Sequence, residues 1–163
     1  MSPLHMIQIR PVAPADGDAW ARMRGALWPD DAESGHRREI TRFFAHELRE
    51  PLEVLVAADA AGALLGFAEL SIREHAVDCV TDRVAYLEGW YVHPDSRRRG
   101  VGRALIQAAE AWARAQGCAE FASDARLDND VSAAAHSALG FHETARLRCF
   151  RKVVDSSKLP AET

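Results

Sequence analysis

Val84-Ala85-Tyr86-Leu87-Glu88-Gly89-Trp90-Tyr91-Val92, followed after His93-Pro94-Asp95-Ser96 by Arg97-Arg98-Arg99-Gly100-Val101-Gly102, is the stretch that decides the fold. Its first part reads as a long apolar strand over Val84 to His93, ended where Pro94 stops a ladder and Asp95 starts a turn. Its second part opens an amphipathic helix over Val101 to Gln116, with Leu105, Ile106, Ala109 and Trp112 as the buried stripe and Gly117 as the stop. A strand, a short basic loop and a helix N-terminus make an anion cradle, because unpaired backbone N–H groups and the positive end of the helix dipole converge on one spot. Gly100 and Gly102 carry no Cβ, so the backbone can approach a bulky phosphate. A solvated basic turn is the plain alternative; the position after a long strand favours a pyrophosphate site. No Gly-Lys-Ser/Thr follows, so the loop is not a P-loop, nor is it a GxGxxG turn after a first strand.

Working outward, Met6 to Arg10 alternates as a first strand ended by Pro11, and residues 15–27 form an amphipathic helix with Trp20, Met23 and Leu27 inward, stopped by Pro29. Asp30 to Ser34 reads as an acidic linker, and residues 36–49 as a second helix with Ile40, Phe43, Phe44 and Leu48 inward. Glu53 to Asp59 and Leu64 to Arg73 form a hairpin around Ala60-Ala61-Gly62. Residues 74–83 are an aperiodic loop. Glu120 to Ser123 is a fifth strand, Asp128 an N-cap for a helix over Asn129 to Leu139, and strands are expected after Gly140-Phe141 and over Leu147 to Val154. The order β-α-α-β-β-β-α-β-α-β-β predicts a mixed α/β fold: one domain over residues 1–154 and a disordered tail over 155–163.

Composition narrows the function classes. The 163 residues suit one domain with a proper core. A formal charge of −4, from 20 Lys+Arg against 24 Asp+Glu, disfavours a general nucleic-acid role and suits a cationic small molecule. Cys79, Cys118 and Cys149 show neither CxxC spacing nor an even count, which argues against a disulfide framework or a zinc site and for a reducing compartment. No His pattern supports a metal site. The N-terminus lacks an apolar signal region and no window approaches the roughly 18 apolar residues of a membrane span. A cytoplasmic protein is expected, without a membrane or nucleic-acid partner.

Several side chains stand out. Glu88 interrupts an apolar strand, where a charge is costly unless it is ion-paired or faces a cleft; both readings are open. Asp124, at the end of a strand, reads by itself as a turn former. Trp28, before Pro29 at the edge of the first helix, is either core or a stacking platform, whereas Trp20 and Trp112 fall on helix stripes and read as core. His36 and His46 read as solvated, and His136 as lying on the apolar side of an Ala-rich helix; none of the three is assigned a catalytic role.

The pattern Arg97-x-x-Gly100-x-Gly102 opening a long helix after the fourth strand resembles the coenzyme A pyrophosphate loop of the GNAT superfamily of N-acyltransferases. Leu27-Trp28-Pro29, Phe67-Ala68-Glu69-Leu70-Ser71-Ile72-Arg73, Leu87 to Val92, Phe121-Ala122-Ser123-Asp124 and Ala138-Leu139-Gly140-Phe141-His142-Glu143-Thr144 extend the likeness to the dimeric aminoglycoside 6′-N-acetyltransferases. The resemblance implies acetyl transfer from acetyl-coenzyme A to the 6′-amino group of an aminoglycoside, directly in a ternary complex, by a homodimer, with antibiotic resistance as the result. It implies that Arg97, Arg98, Arg99, Gly100, Val101, Gly102 and Arg103 hold the coenzyme phosphates, that the backbones of Trp90, Tyr91 and Val92 hold the pantetheine arm and polarise the thioester, and that Asn129 contacts the coenzyme. It implies Asp124 and Glu88 as catalytic carboxylates and Trp28, His75, Glu88, Asp124 and Glu143 as acceptor contacts. Two positions depart from the pattern. Arg73-Glu74-His75-Ala76-Val77 has Ala76 where relatives carry a tyrosine, with His75 as its substitute, and Arg148-Cys149-Phe150-Arg151 lacks the tyrosine that protonates the departing thiolate. Rival readings are a GNAT enzyme for a polyamine or peptide N-terminus, and a non-catalytic coenzyme A-binding protein.

Overall fold

In the computed structural model, which describes residues 6–158 and 160, a central sheet separates two helical layers. Strand β1 (Gln8–Pro11) is followed by a 3-10 turn (Pro14–Asp16) and by helices α1 (Gly17–Leu27) and α2 (Glu33–Phe44). Strands β2 (Glu53–Ala58), β3 (Leu64–Arg73) and β4 (Val84–Val92) come next, then α3 (Val101–Ala115), β5 (Glu120–Ser123) and α4 (Asp130–Ala138). The sheet order is β1-β2-β3-β4-β5, antiparallel except where β4 meets β5 through the α3 crossover. The mixed α/β architecture is the one predicted.

Alternation along the strands sorts their side chains onto two faces. Leu55, Ala57, Ala68, Leu70 and Leu87 pack under Val101, Leu105, Ile106 and Ala109 of α3. Val54, Val56, Phe67 and Tyr91 pack against Trp20, Ala21 and Met23 of α1 and Ile40 of α2. Trp20 is fully buried and Trp112 half-buried, as their helix stripes require.

β4 carries the feature that opens the site. Glu69 pairs with Gly89 and Leu70 with Leu87, so Glu88 is an extra residue in β4, and this bulge turns the strand. β5 accompanies β4 only from Val84 to Leu87, with Ser123 opposite Leu87 on the last rung. Beyond that rung the two strands part, and the β5 side of residues 88–92 has no strand partner among the described residues.

Some expected boundaries move. α2 starts at Glu33, inside the expected acidic linker, and ends at Phe44, because the chain turns at His46 with a left-handed φ of 58°. Asn129 and not Asp128 caps α4: its Oδ1 accepts from the Ser132 N–H at 3.0 Å, while Asp128 pairs with Arg126. His36, expected in solvent, is buried and stacks on Trp28, because the α1–α2 turn folds this face of α2 inward. The strands expected after Gly140 and over Leu147 to Val154 are not formed. A strand needs a ladder partner, and residues 142–154 run exposed without one among the described residues, leaving Leu147, Phe150, Val153 and Val154 on the surface. Within the expected tail, Ser156–Lys158 form a 3-10 turn, while Leu159 and residues 161–163 lie outside the described residues.

Candidate active site

The basic loop is a cradle by its backbone. Arg98 and Gly100 both take left-handed φ values, 60° and 83°, which curl the chain so that α3 begins at Val101 with its first N–H groups aimed outward. The first intrahelical bond runs from the Ala104 N–H to the Gly100 carbonyl, and no acidic residue enters the first turn. Arg97, Arg98, Arg99 and Arg103 are exposed, and Arg97 Nε donates to the Val92 carbonyl at 3.0 Å, tying the loop to the end of β4. A Cβ on Gly102 would lie 3.0 Å from the Trp90 ring, so the cradle and β4 touch directly. These residues fit a bound phosphate group.

On the α1–α2 face, the side chains of β3 and β4 bring carboxylates together. Glu88 is held by Arg73 in a two-point pair, at 3.0 Å to Nε and 2.7 Å to Nη2. The Arg73 guanidinium lies 3.6 Å from the Tyr86 ring centroid, and the Tyr86 hydroxyl donates to Asp124 Oδ2 at 2.6 Å. A chain of polar contacts therefore links Glu88 to Asp124 across the β4–β5 split. Burial and the Asp124 carboxylate raise the Tyr86 pKa, so the phenol stays a donor.

Beside Glu88 lies an open cavity of about 290 Å³ lined by Arg24, Trp28, Asp31, Glu39, Glu50, Pro51, Glu69 and Glu88. Five carboxylates face one guanidinium there, and a cationic ligand suits that balance. Trp28 is half-buried and also packs over the bulge: a Cβ on Gly89 would come within 2.6 Å of its ring. It is thus both core and cavity wall.

The deepest wall is a charged group the sequence reading did not single out. Glu69 is buried, accepts from Trp20 Nε1 at 2.9 Å and lies 3.5 Å from Arg24 Nε, while Arg24 also pairs with Glu39 on α2. The signal was available: along β3, Phe67, Glu69 and Ser71 share the inward face, and only Glu69 is charged. Burial pushes its pKa from an ordinary 4.5 up to about 7, against the pull of Arg24 and Trp20. An acid with a raised folded pKa stabilises the fold fully below its unfolded value and loses that contribution as pH rises through the folded value. Glu69 therefore costs about 3 kcal/mol of stability between pH 4.5 and 7. Glu69→Gln keeps an acceptor for Trp20, and it should flatten that pH dependence when urea unfolding is compared at pH 5 and pH 8; an unchanged slope would place the titration elsewhere.

Three expected contacts are not drawn into this constellation. His75 is exposed on the loop after β3, Glu143 pairs with Arg146 in the exposed C-terminal segment, and Asn129 caps α4. His136, set aside in the sequence reading, is in the split: its Nε2 lies 2.9 Å from Ser123 Oγ and its ring meets Trp90 edge-on. Among the described residues no cluster of His, Cys, Asp or Glu is arranged to hold a metal, and the three cysteines are free.

The model of the acetyltransferase (GNAT) family matches residues 20–141, spanning both faces of this site. The chain belongs to the GNAT acetyltransferase family. Among its GNAT relatives, the aminoglycoside N(6′)-acetyltransferase type 1 of Klebsiella aerogenes is 52% identical over 144 residues, covering 88% of this chain and 95% of the relative. The aminoglycoside 6′-N-acetyltransferase AAC(6′)-Ih from Acinetobacter baumannii superposes with a TM-score of 0.83 at 38% identity, covering 92% of this chain and all of that one. AAC(6′)-Iy, solved with the bisubstrate analogue CoA-S-monomethyl-acetylneamine, gives 0.82 at 34% identity over 91% of this chain and 99% of its own. No helix among the described residues is long and apolar enough to cross a membrane.

Proposed function

We propose that this chain is an aminoglycoside 6′-N-acetyltransferase that moves the acetyl group of acetyl-coenzyme A to a 6′-amino group, directly within a ternary complex, and so confers aminoglycoside resistance from the cytoplasm. The observation that carries this reading is that β4 is addressed from both sides: the phosphate cradle joins its end on the α3 side, and the acidic cavity opens at its bulge on the α1–α2 side. Residues 1–154 act as one catalytic domain, with 155–163 as a tail.

The coenzyme supplies the activated acetyl thioester. Arg97, Arg98, Arg99 and Arg103 neutralise its phosphates, while the backbone N–H groups at Gly100, Val101 and Gly102 bind them at the positive end of α3. The edge of Trp90, Tyr91 and Val92 left open by β5 holds the extended arm and offers an N–H to the thioester carbonyl, where negative charge develops. Asn129, the cap of α4, is assigned a coenzyme contact from that helix. Trp28 stacks on a sugar ring, and Glu88, fixed by Arg73, anchors a ring ammonium; His75 and Glu143 take outlying parts of the acceptor. Asp124 receives the proton that the reacting ammonium must lose before it attacks. A thiol-release assay across 6′-amino and 6′-hydroxy aminoglycosides, polyamines and peptide amines tests the whole reading. Turnover confined to the 6′-amino compounds is expected, and turnover of a polyamine or peptide alone would overturn it.

The chain acts as a homodimer. Supporting this, residues 142–154 expose Leu147, Phe150, Val153 and Val154 in a segment of strand-forming composition, and a second copy is a partner that can pair its backbone and cover these side chains. Light scattering should give twice the chain mass at micromolar concentration and a monomer for the Phe150→Asp, Val153→Asp double variant. A monomeric parent would end the proposal.

A further inference from the structure

We infer that Ser123 and His136 form the proton relay that serves the departing thiolate. This rests on the acetyl-transfer reading above. The β4–β5 split has a floor, the Leu87–Ser123 rung, and one wall on the α3–α4 face. That wall is a continuous row. Gly102 at the cradle touches the Trp90 ring, the His136 ring meets Trp90 edge-on at 5.4 Å, and His136 Nε2 lies 2.9 Å from Ser123 Oγ on the last rung. A coenzyme with its phosphates at the start of α3 and its arm on the open edge of β4 passes along this row, so its sulfur arrives near Ser123. Asp124, the next residue, turns to the opposite face and bonds Tyr86, so the acceptor amine and the sulfur are served from different sides of the sheet.

The hydrogen-bond directions suit a relay. His136 Nδ1 lies 2.7 Å from the Ser132 carbonyl oxygen, which can only accept, and 3.3 Å from the Ser132 hydroxyl, and the shorter contact assigns the proton of the neutral ring to Nδ1. Nε2 faces a hydroxyl, which can donate or accept. An imidazolium donates from Nε2 to Ser123 Oγ and leaves the hydroxyl proton to the Leu87 carbonyl at 3.4 Å, a long contact that it can exchange for the sulfur; a neutral ring accepts the hydroxyl proton instead. Both states use the same heavy-atom positions, and the edges of Trp90 and Phe141 fix the ring between them. The chain has two tyrosines, and neither competes for the role. Tyr86 gives its hydroxyl to Asp124, and Tyr91 packs in the α1–α2 core.

The step balances as follows. The amine nitrogen bonds to the acetyl carbon, the carbon–sulfur bond breaks with its electron pair on sulfur, and sulfur takes the Ser123 hydroxyl proton. Ser123 takes the Nε2 proton of His136, and the neutral ring is protonated again from water. Asp124 passes the ammonium proton to water before the attack and then takes the second nitrogen proton on the other face, so each turnover releases one proton to solvent and nothing is oxidised or reduced.

Three variants and two readouts test this. Ser123→Ala and His136→Gln should lower kcat about a hundredfold with both KM values within about threefold, while Ser123→Thr, which keeps the hydroxyl, should stay within about threefold of the parent. With the acetyl selenoester of the coenzyme, whose selenolate leaves without a proton, both losses should shrink to tenfold or less, about one tenth of the thioester effect. Without any substrate, nitrogen-15 NMR should show His136 Nδ1 protonated and an Nε2 shift that moves in Ser123→Ala. Parent-like kcat in both variants, equal losses with thioester and selenoester, or an unprotonated Nδ1 would each overturn the relay. A parent inactive on every aminoglycoside would instead overturn the acetyl-transfer reading, with the NMR result standing apart.

Discussion

Asp124→Asn should reduce kcat by about two to three orders of magnitude, the usual worth of a positioned proton acceptor. The substitution is nearly isosteric. The asparagine carbonyl can still accept from Tyr86, so the Tyr86–Arg73–Glu88 chain and the end of β5 keep their geometry. What disappears is the negative charge and the basicity. The amine of an aminoglycoside is mostly protonated near neutral pH, since alkylamines titrate around pH 10, and it cannot attack until that proton leaves. The KM for the aminoglycoside should rise as well, because an ammonium loses its counter-charge. The KM for acetyl-coenzyme A should hold, because Asp124 faces α1 and α2 while the cradle and Trp90 lie with α3. Steady-state kinetics at saturating coenzyme reads both effects. A variant within threefold of the parent would remove Asp124 from the chemistry.

Gly66→Ala should be the most damaging alanine substitution among the described glycines. Gly66 sits in β3 opposite Val92, and a Cβ there would come within 2.4 Å of the Tyr91 carbonyl oxygen and 3.2 Å of Val92 Cα. Both are backbone atoms of the strand that carries the site, so no side-chain rotation relieves the clash. The β3–β4 rungs must spread, at a cost of about 3 kcal/mol or more. For a domain of this size that corresponds to a Tm lower by roughly 10 °C. Coenzyme affinity should fall with it, since the displaced residues are those proposed to hold the pantetheine arm. Gly25→Ala in α1 is the control: nothing lies within 4 Å of its Cβ, and a helical Ala is expected to be neutral or stabilising by up to about 1 kcal/mol. Calorimetry of the pair should separate them clearly, and matching melts would show that β4 yields more easily than its register implies.

Much of this was legible in order along the chain. The cradle could be read because strand, turn and helix are consecutive, and local sequence holds every term: Pro94 to stop the ladder, Gly100 to curl the loop, Val101 to start the stripe. Trp28, Glu88 and Asp124 stood out because each is out of keeping with its neighbours. Glu69 broke its strand's pattern in the same way, yet a charge in a strand says nothing about its partner. Its partners, Trp20 and Arg24, come from α1, and Glu39, which completes the pair with Arg24, from α2. The contact made by His136 was hidden for a related reason. A histidine among alanines reads as packing until β5 brings Ser123 to its Nε2.

By itself, then, the sequence determined what depends on neighbours along the chain: the periodicities that set strands and helices, the glycine-bearing basic loop at the head of α3, and the apolar character of each strand. The tertiary structure alone decided what depends on register and crossover. The extra residue at Glu88 opens β4 from β5, the alternation of the strands sends Asp124 and Ser123 to opposite faces, and α1 and α2 close an acidic cavity over Glu69. The C-terminal segment shows the boundary between the two. Its residues have the composition of a strand, but a strand is a property of a pair, and residues 142–154 have no partner within the described chain.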